Sequence, residues 1–161
     1  MKTLSRLIGK SLREKGLQLA LAESCTGGLL SSVITDAPGS SEYFLGSIIA
    51  YANSVKESSL GVKAGTLEKH GAVSKESARE MAQGVKKTLH AGISASITGI
   101  AGPGGATKRK PVGLVFIAVS NDGKTVVKKF LFKGGRKSIK MQSVEAALLM
   151  LAKALKLKLE R

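Results

Sequence analysis

Two short apolar segments of this chain each end in a polar, glycine-rich turn, and this pattern constrains the fold more than any other feature. The first segment covers Leu17–Leu21 and ends in Glu23–Gly28, while the second covers Ile93–Thr98 and ends in Gly99–Gly105. Helical spacing of apolar residues follows the first turn over Leu29–Thr35. Buried strands that alternate with helices are typical of α/β proteins, so we predict a sheet covered by helices.

The remaining periodicities predict one α/β domain over residues 1–161, with a mixed, mostly parallel β-sheet and a C-terminal antiparallel hairpin. The turn of that hairpin is Asn121-Asp122-Gly123, a combination that favours tight turns between paired strands. The predicted elements are, in chain order, a helix over 3–15, a strand over 17–21, a helix over 29–35, a strand over 47–52, helices over 54–60 and 74–89, strands over 93–98, 112–120 and 125–132, and a helix after residue 135.

Composition excludes several classes of protein. A single cysteine excludes a disulfide framework, and Cys25 with His70 and His90 cannot complete a closed Cys/His zinc site. The longest apolar stretch, over 112–119, is far shorter than the roughly 20 residues that a membrane-spanning helix needs. The N-terminus is predicted to be an amphipathic helix and not a signal peptide. We therefore expect a cytoplasmic protein without a membrane segment.

The net charge of +15 is concentrated in the C-terminal part of the chain. Residues 101–161 carry 14 Lys and Arg against 3 Asp and Glu. Such an excess attracts phosphorylated small molecules or polyanions, although a solvated lysine-rich surface is the simpler interpretation. Aromatic residues make up only 4% of the chain, so the charge lacks the stacking platform that nucleic-acid binding usually needs.

The turn after the first predicted strand carries side chains suited to chemistry. Glu23-Ser24-Cys25-Thr26 places a carboxylate, two hydroxyls and a thiol at the carboxyl end of a strand, where open α/β sheets bind ligands. Gly27 and Gly28 would let backbone N–H groups approach a ligand. Two plainer readings stay open: Ser24 and Thr26 could only cap the next helix, and the Gly99–Gly105 segment could be a flexible loop and not an anion-binding nest.

A third candidate segment is Tyr51-Ala52-Asn53-Ser54-Val55-Lys56. A lysine beside a serine can act as a general base when burial lowers its pKa, whereas a lysine taken singly is more often a surface group. Cys25 is an alternative nucleophile, but no histidine lies near it in sequence, and buried cysteines are commonly inert. His70 precedes a glycine in a predicted loop and is interpreted as structural.

Taken together, these segments resemble the CinA C-terminal domain family, the family of nicotinamide-nucleotide amidases. The resemblance covers about residues 3–155, in the family order of motifs: Ala22-Glu23-Ser24-Cys25-Thr26-Gly27-Gly28, Pro38-Gly39-Ser40-Ser41, Tyr51 with Asn53 and Lys56, His70-Gly71-Ala72-Val73-Ser74, Thr98-Gly99-Ile100-Ala101-Gly102-Pro103, and Lys110-Pro111-Val112-Gly113. It implies a hydrolase of pyridine nucleotide salvage that converts nicotinamide mononucleotide to nicotinate mononucleotide and ammonia. It also implies no metal or organic cofactor, a homo-oligomer, and a stand-alone domain without the N-terminal module of larger relatives.

The resemblance assigns roles to individual residues. Ser24 would be the nucleophile and Lys56 its general base, with Tyr51 and Thr98 assisting by hydrogen bonds. Arg136 would pair with the substrate phosphate. The other substrate-binding candidates are Glu23, Thr26, Gly27, Gly28, Ser40, Ser41, Asn53, Gly99, Gly102 and Gly104. Ser40 and Ser41 are rival hydroxyls, and we leave open which serine meets Lys56.

Several positions depart from the family pattern, among them Ala52, Ser54 and Val55, which replace more usual residues around Asn53. Gly134-Gly135-Arg136 stands where the family has Gly-Asp-Arg, and Lys140 stands where an arginine is common. The missing aspartate would loosen the loop that positions Arg136. A catalytically weak or inactive nucleotide-binding module of the same fold is therefore the alternative, and the preferred pyridine carboxamide is left open.

Overall fold

The computed structural model describes residues 1–158, and its elements follow the predicted alternation. The strands are β1 (Leu19–Glu23), β2 (Phe44–Ile49), β3 (Ile93–Gly99), β4 (Leu114–Asn121) and β5 (Lys124–Leu131). The helices are α1 (Lys2–Glu14), α2 (Leu29–Thr35), α3 (Asn53–Leu60), α4 (Ala64–His70), α5 (Lys75–Thr88) and α6 (Arg136–Ala154), with a 3-10 turn over Ser40–Glu42.

The strands form one five-stranded sheet in the order β2-β1-β3-β4-β5. β1 lies between β2 and β3 and is parallel to both, while β4 is antiparallel to β3 and to β5. Four strands therefore run in one direction, which confirms the predicted mixed, mostly parallel sheet with a C-terminal hairpin. The hairpin turns through Asp122 and Gly123, whose φ angles of 48° and 72° suit a tight two-residue turn.

Helices cover both faces of the sheet because the central strands are apolar on both sides. Leu21 and Ile97 point into the core beneath α1, α2 and α6, whereas Ala20 and Ala22 face α5 and α3. Small residues on the second face bring α5 close, and the Ser94 hydroxyl donates to a carbonyl of that helix at 2.6 Å. Truncating a fully buried residue such as Ile97 to alanine is expected to cost about 2–5 kcal/mol.

The structure corrects the predicted bounds of two strands and adds one helix. β1 begins and ends two residues later than predicted, because a strand buried on both faces has no polar alternation to mark its ends. β2 covers 44–49 and not 47–52, since the chain leaves the sheet at Ala50. Helix α4 was not predicted; none of its residues is fully buried, and Glu80 accepts hydrogen bonds from Lys63 and Thr66 at its start.

This topology brings three connections together. The parallel strands β1, β2 and β3 have their carboxyl ends at the same end of the sheet. The segments that follow them, 24–28, 50–53 and 100–105, are therefore neighbours in space. Over residues 1–158, no helix is both long and apolar enough to cross a membrane.

Candidate active site

A cavity of about 240 Å³ opens at the carboxyl ends of the parallel strands. Larger grooves exist elsewhere, but this cavity holds the side chains of the first and third candidate segments. The predicted site residues that line it are Ser24, Tyr51, Asn53, Lys56, Thr98, Gly99, Gly102, Gly104 and Arg136. Residues from distant parts of the chain therefore share one pocket.

Lys56 and Ser24 meet inside this cavity. Lys56 Nζ lies 3.1 Å from Ser24 Oγ and is also in contact with the carbonyl oxygens of Ala50, at 2.8 Å, and Tyr51, at 3.2 Å. Lys56 is only 1% exposed, and burial lowers its pKa below the ordinary value for a lysine. A neutral amine has two N–H groups and one lone pair, so with both carbonyls as acceptors its lone pair is left for the Ser24 hydroxyl.

Glu23 holds the turn that presents Ser24. Its carboxylate is fully buried and accepts the backbone N–H groups of Gly28, Leu30 and Ser31 at 2.9–3.1 Å, and also the Ser31 hydroxyl. A carboxylate is stabilised there because a helix N-terminus carries partial positive charge. Glu23 therefore caps α2 and does not line the cavity, so the structure does not support its predicted contact with substrate.

Contrary to the prediction from sequence, the glycines of the turn after β1 do not offer their N–H groups to a ligand. The N–H of Gly27 donates to the Ser24 carbonyl at 3.1 Å, and that of Gly28 is taken by Glu23, so neither is free for a ligand. Gly27, Gly28 and the fully buried Thr26 do not line the cavity. Among residues 1–158, the backbone N–H groups of Cys25 and Thr26 have no backbone or side-chain acceptor of another residue, and they directly follow Ser24.

Thr98 lines the cavity but makes no hydrogen bond with Ser24 or Lys56 in the described part of the chain. Its hydroxyl donates to the Ala72 carbonyl at 2.8 Å. The adjoining carbonyl of Val73 accepts Lys110 Nζ at 2.7 Å. Thr98 and Lys110 thus fix the segment that forms one wall, so any assistance from Thr98 is indirect.

Arg136 spans the mouth of the cavity. Its guanidinium donates to the Gly102 carbonyl at 2.7 Å and to the Tyr51 hydroxyl at 2.9 Å, which links the loop after β3 to the segment after β2. Lys140, one turn along α6, lies close to Gly27, and its charge together with that of Arg136 acts on Cys25. The mouth is therefore positively charged, which suits an anionic ligand.

The comparisons with known proteins agree with the motifs. The model of the CinA C-terminal domain matches residues 1–155. The chain belongs to the CinA C-terminal domain family. A CinA-like protein of Syntrophomonas wolfei is 51% identical over 154 residues, which are 96% of this chain and 37% of that protein. A putative competence-damage inducible protein of Clostridioides difficile is 52% identical over 140 residues, or 87% of this chain and 34% of the relative.

Solved structures of the CinA superfamily share the fold. The competence/damage inducible protein CihA of Agrobacterium tumefaciens has a TM-score of 0.93 at 37% identity, with 95% of this chain and 94% of that chain covered. A competence damage-inducible protein A of Klebsiella pneumoniae has a TM-score of 0.93 at 30% identity, with 96% of each chain covered. This chain spans little more than a third of the length of the curated relatives above.

Within this CinA-family chain, the rival hydroxyls lie far from Lys56. Ser40 and Ser41 form the 3-10 turn before β2. The pairing of Leu19 with Phe44 places that turn at the end of the sheet where β1 and β2 begin, opposite the cavity. Neither serine lines the cavity. The geometry therefore favours Ser24 as the partner of Lys56 and removes Ser40 and Ser41 from the candidate site.

Cys25 lines the cavity of this CinA-family chain beside Ser24. Burial raises the pKa of its thiol to about 11, so the thiol stays protonated near neutral pH and is a weak nucleophile. Sequence reasoning missed several other lining residues, because they contribute backbone and apolar surface with no reactive group: Ala72, Val73, Ile100, Ala101 and Gly105. Residues 1–158 contain no cluster of three or more His, Cys, Asp or Glu side chains that could hold a metal ion.

Proposed function

We propose that this chain is an amidase that hydrolyses nicotinamide mononucleotide to nicotinate mononucleotide and ammonia. The observation that carries the proposal is the 3.1 Å contact between Ser24 Oγ and the buried amine of Lys56. An amide is a poor electrophile, so its hydrolysis needs an activated nucleophile and donors for the developing oxyanion. A serine beside a lysine of lowered pKa meets the first need.

In the first half-reaction, neutral Lys56 takes the proton from Ser24 Oγ as that oxygen attacks the carboxamide carbon. The resulting oxyanion would be stabilised by backbone N–H groups that line the cavity, those of Ala101 and Gly102 in the loop after β3. Protonated Lys56 then gives its proton to the departing nitrogen, which leaves as ammonia. The C–N bond breaks and an ester joins nicotinate mononucleotide to Ser24.

In the second half-reaction, water attacks the ester carbon while Lys56 accepts one of its protons. The ester bond to Ser24 breaks, and Lys56 returns the proton to the serine oxygen. Nicotinate mononucleotide leaves and the neutral amine is restored. Because the Ala50 and Tyr51 carbonyls hold the amine in place, the same group serves as base and acid in both halves.

The positive mouth of the cavity would bind the phosphate of the substrate. Arg136 can present two parallel N–H groups to a phosphate, and Lys140 adds a second charge nearby. The loop after β3 offers backbone N–H groups for the same purpose. The pyridine nucleotide is the proposed partner, and the predicted association of the chain with copies of itself stays a prediction.

One observation favours the alternative of a weak or inactive nucleotide-binding module. Gly135 is the N-cap of α6 and supplies no side-chain acceptor to the first turn, which carries Arg136. The aspartate of the family pattern would accept such a hydrogen bond and steady the arginine. In this alternative the chain still binds the nucleotide, with an affinity lowered by the less steady Arg136, and turnover is weak or absent.

The test is ammonia release by the whole chain from nicotinamide mononucleotide, compared with two related compounds. Nicotinamide riboside lacks the phosphate and should react with a higher KM, whereas nicotinate mononucleotide lacks the amide and should release nothing. Tight binding of the mononucleotide by calorimetry without ammonia over hours would favour the binding module. Neither binding nor ammonia release would contradict both functions.

A further inference from the structure

A second cavity lies between the edge strand β5 and the C-terminal half of α6. Helix α6 packs against β3 and β4 and leaves the outermost strand β5 largely uncovered on this face of the sheet. The resulting groove has a volume of about 450 Å³, which is within the range of small-molecule sites in proteins. The residues that line it are Val119, Asn121, Asp122, Lys124, Val126, Lys128, Met150, Lys153 and Ala154.

The floor of this groove is apolar. Val119 of β4 lies opposite Val126 of β5, and Met150 of α6 lines the groove with them. Val119 and Met150 are buried, whereas Val126 is 44% exposed. Val127, the next residue of β5, faces the other side of the sheet and packs against α5. A ligand with an apolar body would therefore cover a valine that the described chain leaves in water.

The rim of the groove is positively charged. Lys124 and Lys128 of β5 and Lys153 of α6 line it, together with the single carboxylate of Asp122 at the hairpin turn. Within residues 1–158, none of these four side chains forms an ion pair. Three ammonium groups beside an apolar floor suit a ligand that combines a negative charge with an apolar body.

We propose that this groove binds a small organic anion with an apolar body, of the class of an aliphatic carboxylate. The carboxylate meets the ammonium groups of the rim, and the hydrocarbon chain lies on Val119, Val126 and Met150. The groove is distinct from the candidate active site. Asn121 pairs with Ile93 at the beginning of β3, whereas the active-site cavity opens at the carboxyl ends of the parallel strands. The proposal does not depend on the proposed amidase function.

Larger partners fit this groove less well. An extended peptide would add to the outer edge of β5, but lysines on an edge strand discourage pairing with another strand. A membrane surface or a nucleic acid would meet the exposed lysines and could not reach Val119 and Met150, which are only 3% and 8% exposed. The recessed apolar floor therefore favours a small molecule that enters the groove.

Isothermal titration calorimetry of the whole chain with octanoate tests the proposal. Acetate lacks the apolar body and octanol lacks the charge, so each should bind about 5-fold more weakly than octanoate or worse.

Two neighbouring lysines of β5 provide matched variants. Lys128 lines the groove, whereas Lys129 lies opposite Phe116 on the face that α5 covers. Lys128→Glu and Lys129→Glu change the net charge of the chain equally. Lys128→Glu should raise the Kd for octanoate about 10-fold, because an attraction becomes a repulsion, and Lys129→Glu should raise it less than about 2-fold.

Amide chemical shifts of the unmodified chain keep the proposal testable if a variant fails to fold. Saturating octanoate should move the signals of Val126 and Met150 and leave those of Ser24 and Lys56 in place. Octanoate that does not bind saturably, that moves only the active-site signals, or that binds both folded variants equally would overturn the proposal. Octanol that binds as tightly as octanoate would overturn it too, as would anionic vesicles or a glutamate-rich peptide that bind more tightly through Lys128.

Discussion

The two glycines of the turn after β1 close it on itself, because both of their N–H groups are taken up, whereas the loop after β3 keeps the N–H groups of its glycines free. In the turn, the N–H groups of Gly27 and Gly28 are taken up by Ser24 and Glu23. In the loop, the N–H of Ile100 is paired with the Leu114 carbonyl at 2.9 Å, but those of residues 101, 102, 104 and 105 have no acceptor within the described chain.

Two glycine-rich connections at the carboxyl ends of neighbouring strands can therefore have different roles in one site. A closed turn fixes a reacting atom, so damage to it should lower kcat. An open loop with free donors is suited to holding a ligand, so damage beside it should raise KM.

The largest effect is expected at the proposed nucleophile, Ser24, in the closed turn. Ser24→Ala removes the attacking oxygen, so ammonia release from nicotinamide mononucleotide should fall by about 10⁴-fold or more. Binding of the nucleotide, measured by calorimetry, should change little. Ser41→Ala is the matched control at the opposite end of the sheet and should keep full activity. A Ser24→Ala variant with more than a tenth of the parent rate would contradict the assignment.

A smaller effect is expected when the hydrogen bonds that hold the turn at the start of α2 are weakened. Glu23→Gln removes the negative charge at the start of α2, so the free energy of unfolding should fall by about 1–3 kcal/mol in urea titration. The displaced Ser24 should lower kcat by about 10–100-fold while KM stays nearly constant. Glu14→Gln, an exposed change on α1, is the control. A raised KM with unchanged kcat would mean instead that Glu23 contacts the substrate.

On the open side of the cavity the effect should appear in KM. Arg136→Met removes the fork that faces the mouth, and we expect KM for nicotinamide mononucleotide to rise about 10-fold or more with kcat nearly unchanged. Nicotinamide riboside lacks the phosphate, so its KM should not respond to this substitution. Lys137→Met, which removes a neighbouring exposed charge, is the control. An equal loss with both substrates would rule out a phosphate contact.

The smallest expected effect is a gain in stability and in affinity for the nucleotide. Gly135 has φ −79° and ψ 171°, a conformation open to any residue, and an added Cβ would meet no atom within 4 Å. Gly135→Asp should therefore cap α6, raise the free energy of unfolding by up to about 1 kcal/mol and lower KM a few-fold. Gly135→Ala lacks the acceptor and should do neither. Thermal unfolding and ammonia kinetics check both effects, and equal behaviour of the two variants would contradict the capping argument.

Much of the fold could be predicted, because its signals are local. Asn121-Asp122-Gly123 determines a tight turn by its own backbone preferences, and the predicted helix over 29–35 coincides with α2. The end of β1 could not be read, since both faces of that strand are buried and the apolar run has no internal marker. Helix α4 was not predicted, because its start is held by hydrogen bonds to Glu80, a residue that lies in the next helix.

The site was predictable only as a set of residue types. Motifs named Ser24 and Lys56, but their contact depends on where β2 ends and on the two carbonyls that hold the amine. The carboxylate of Glu23 looks like a ligand-binding group in sequence, and only the direction of its side chain shows that it serves α2. Ser40 and Ser41 were indistinguishable from Ser24 until the sheet register separated them.

The pH dependence of Lys56 has a definite sign in both rate and stability. In the proposed mechanism the neutral amine is the active form, so the rate should rise with pH and level off above the lowered pKa of Lys56. The unfolded chain binds this proton more strongly than the folded chain does. Stability should therefore also rise with pH between the lowered pKa and the ordinary lysine pKa, and this contribution should vanish in Lys56→Met.

We propose that buried Lys56 is the base that activates Ser24, and kcat/KM for ammonia release as a function of pH tests this role most directly. We expect a single rise with an apparent pKa below the ordinary lysine value of about 10.4. Lys56→Met, while still folded and able to bind the nucleotide, should lose both the rise and nearly all of the rate. A Lys56→Met variant that keeps the parent's rate and pH profile would contradict it.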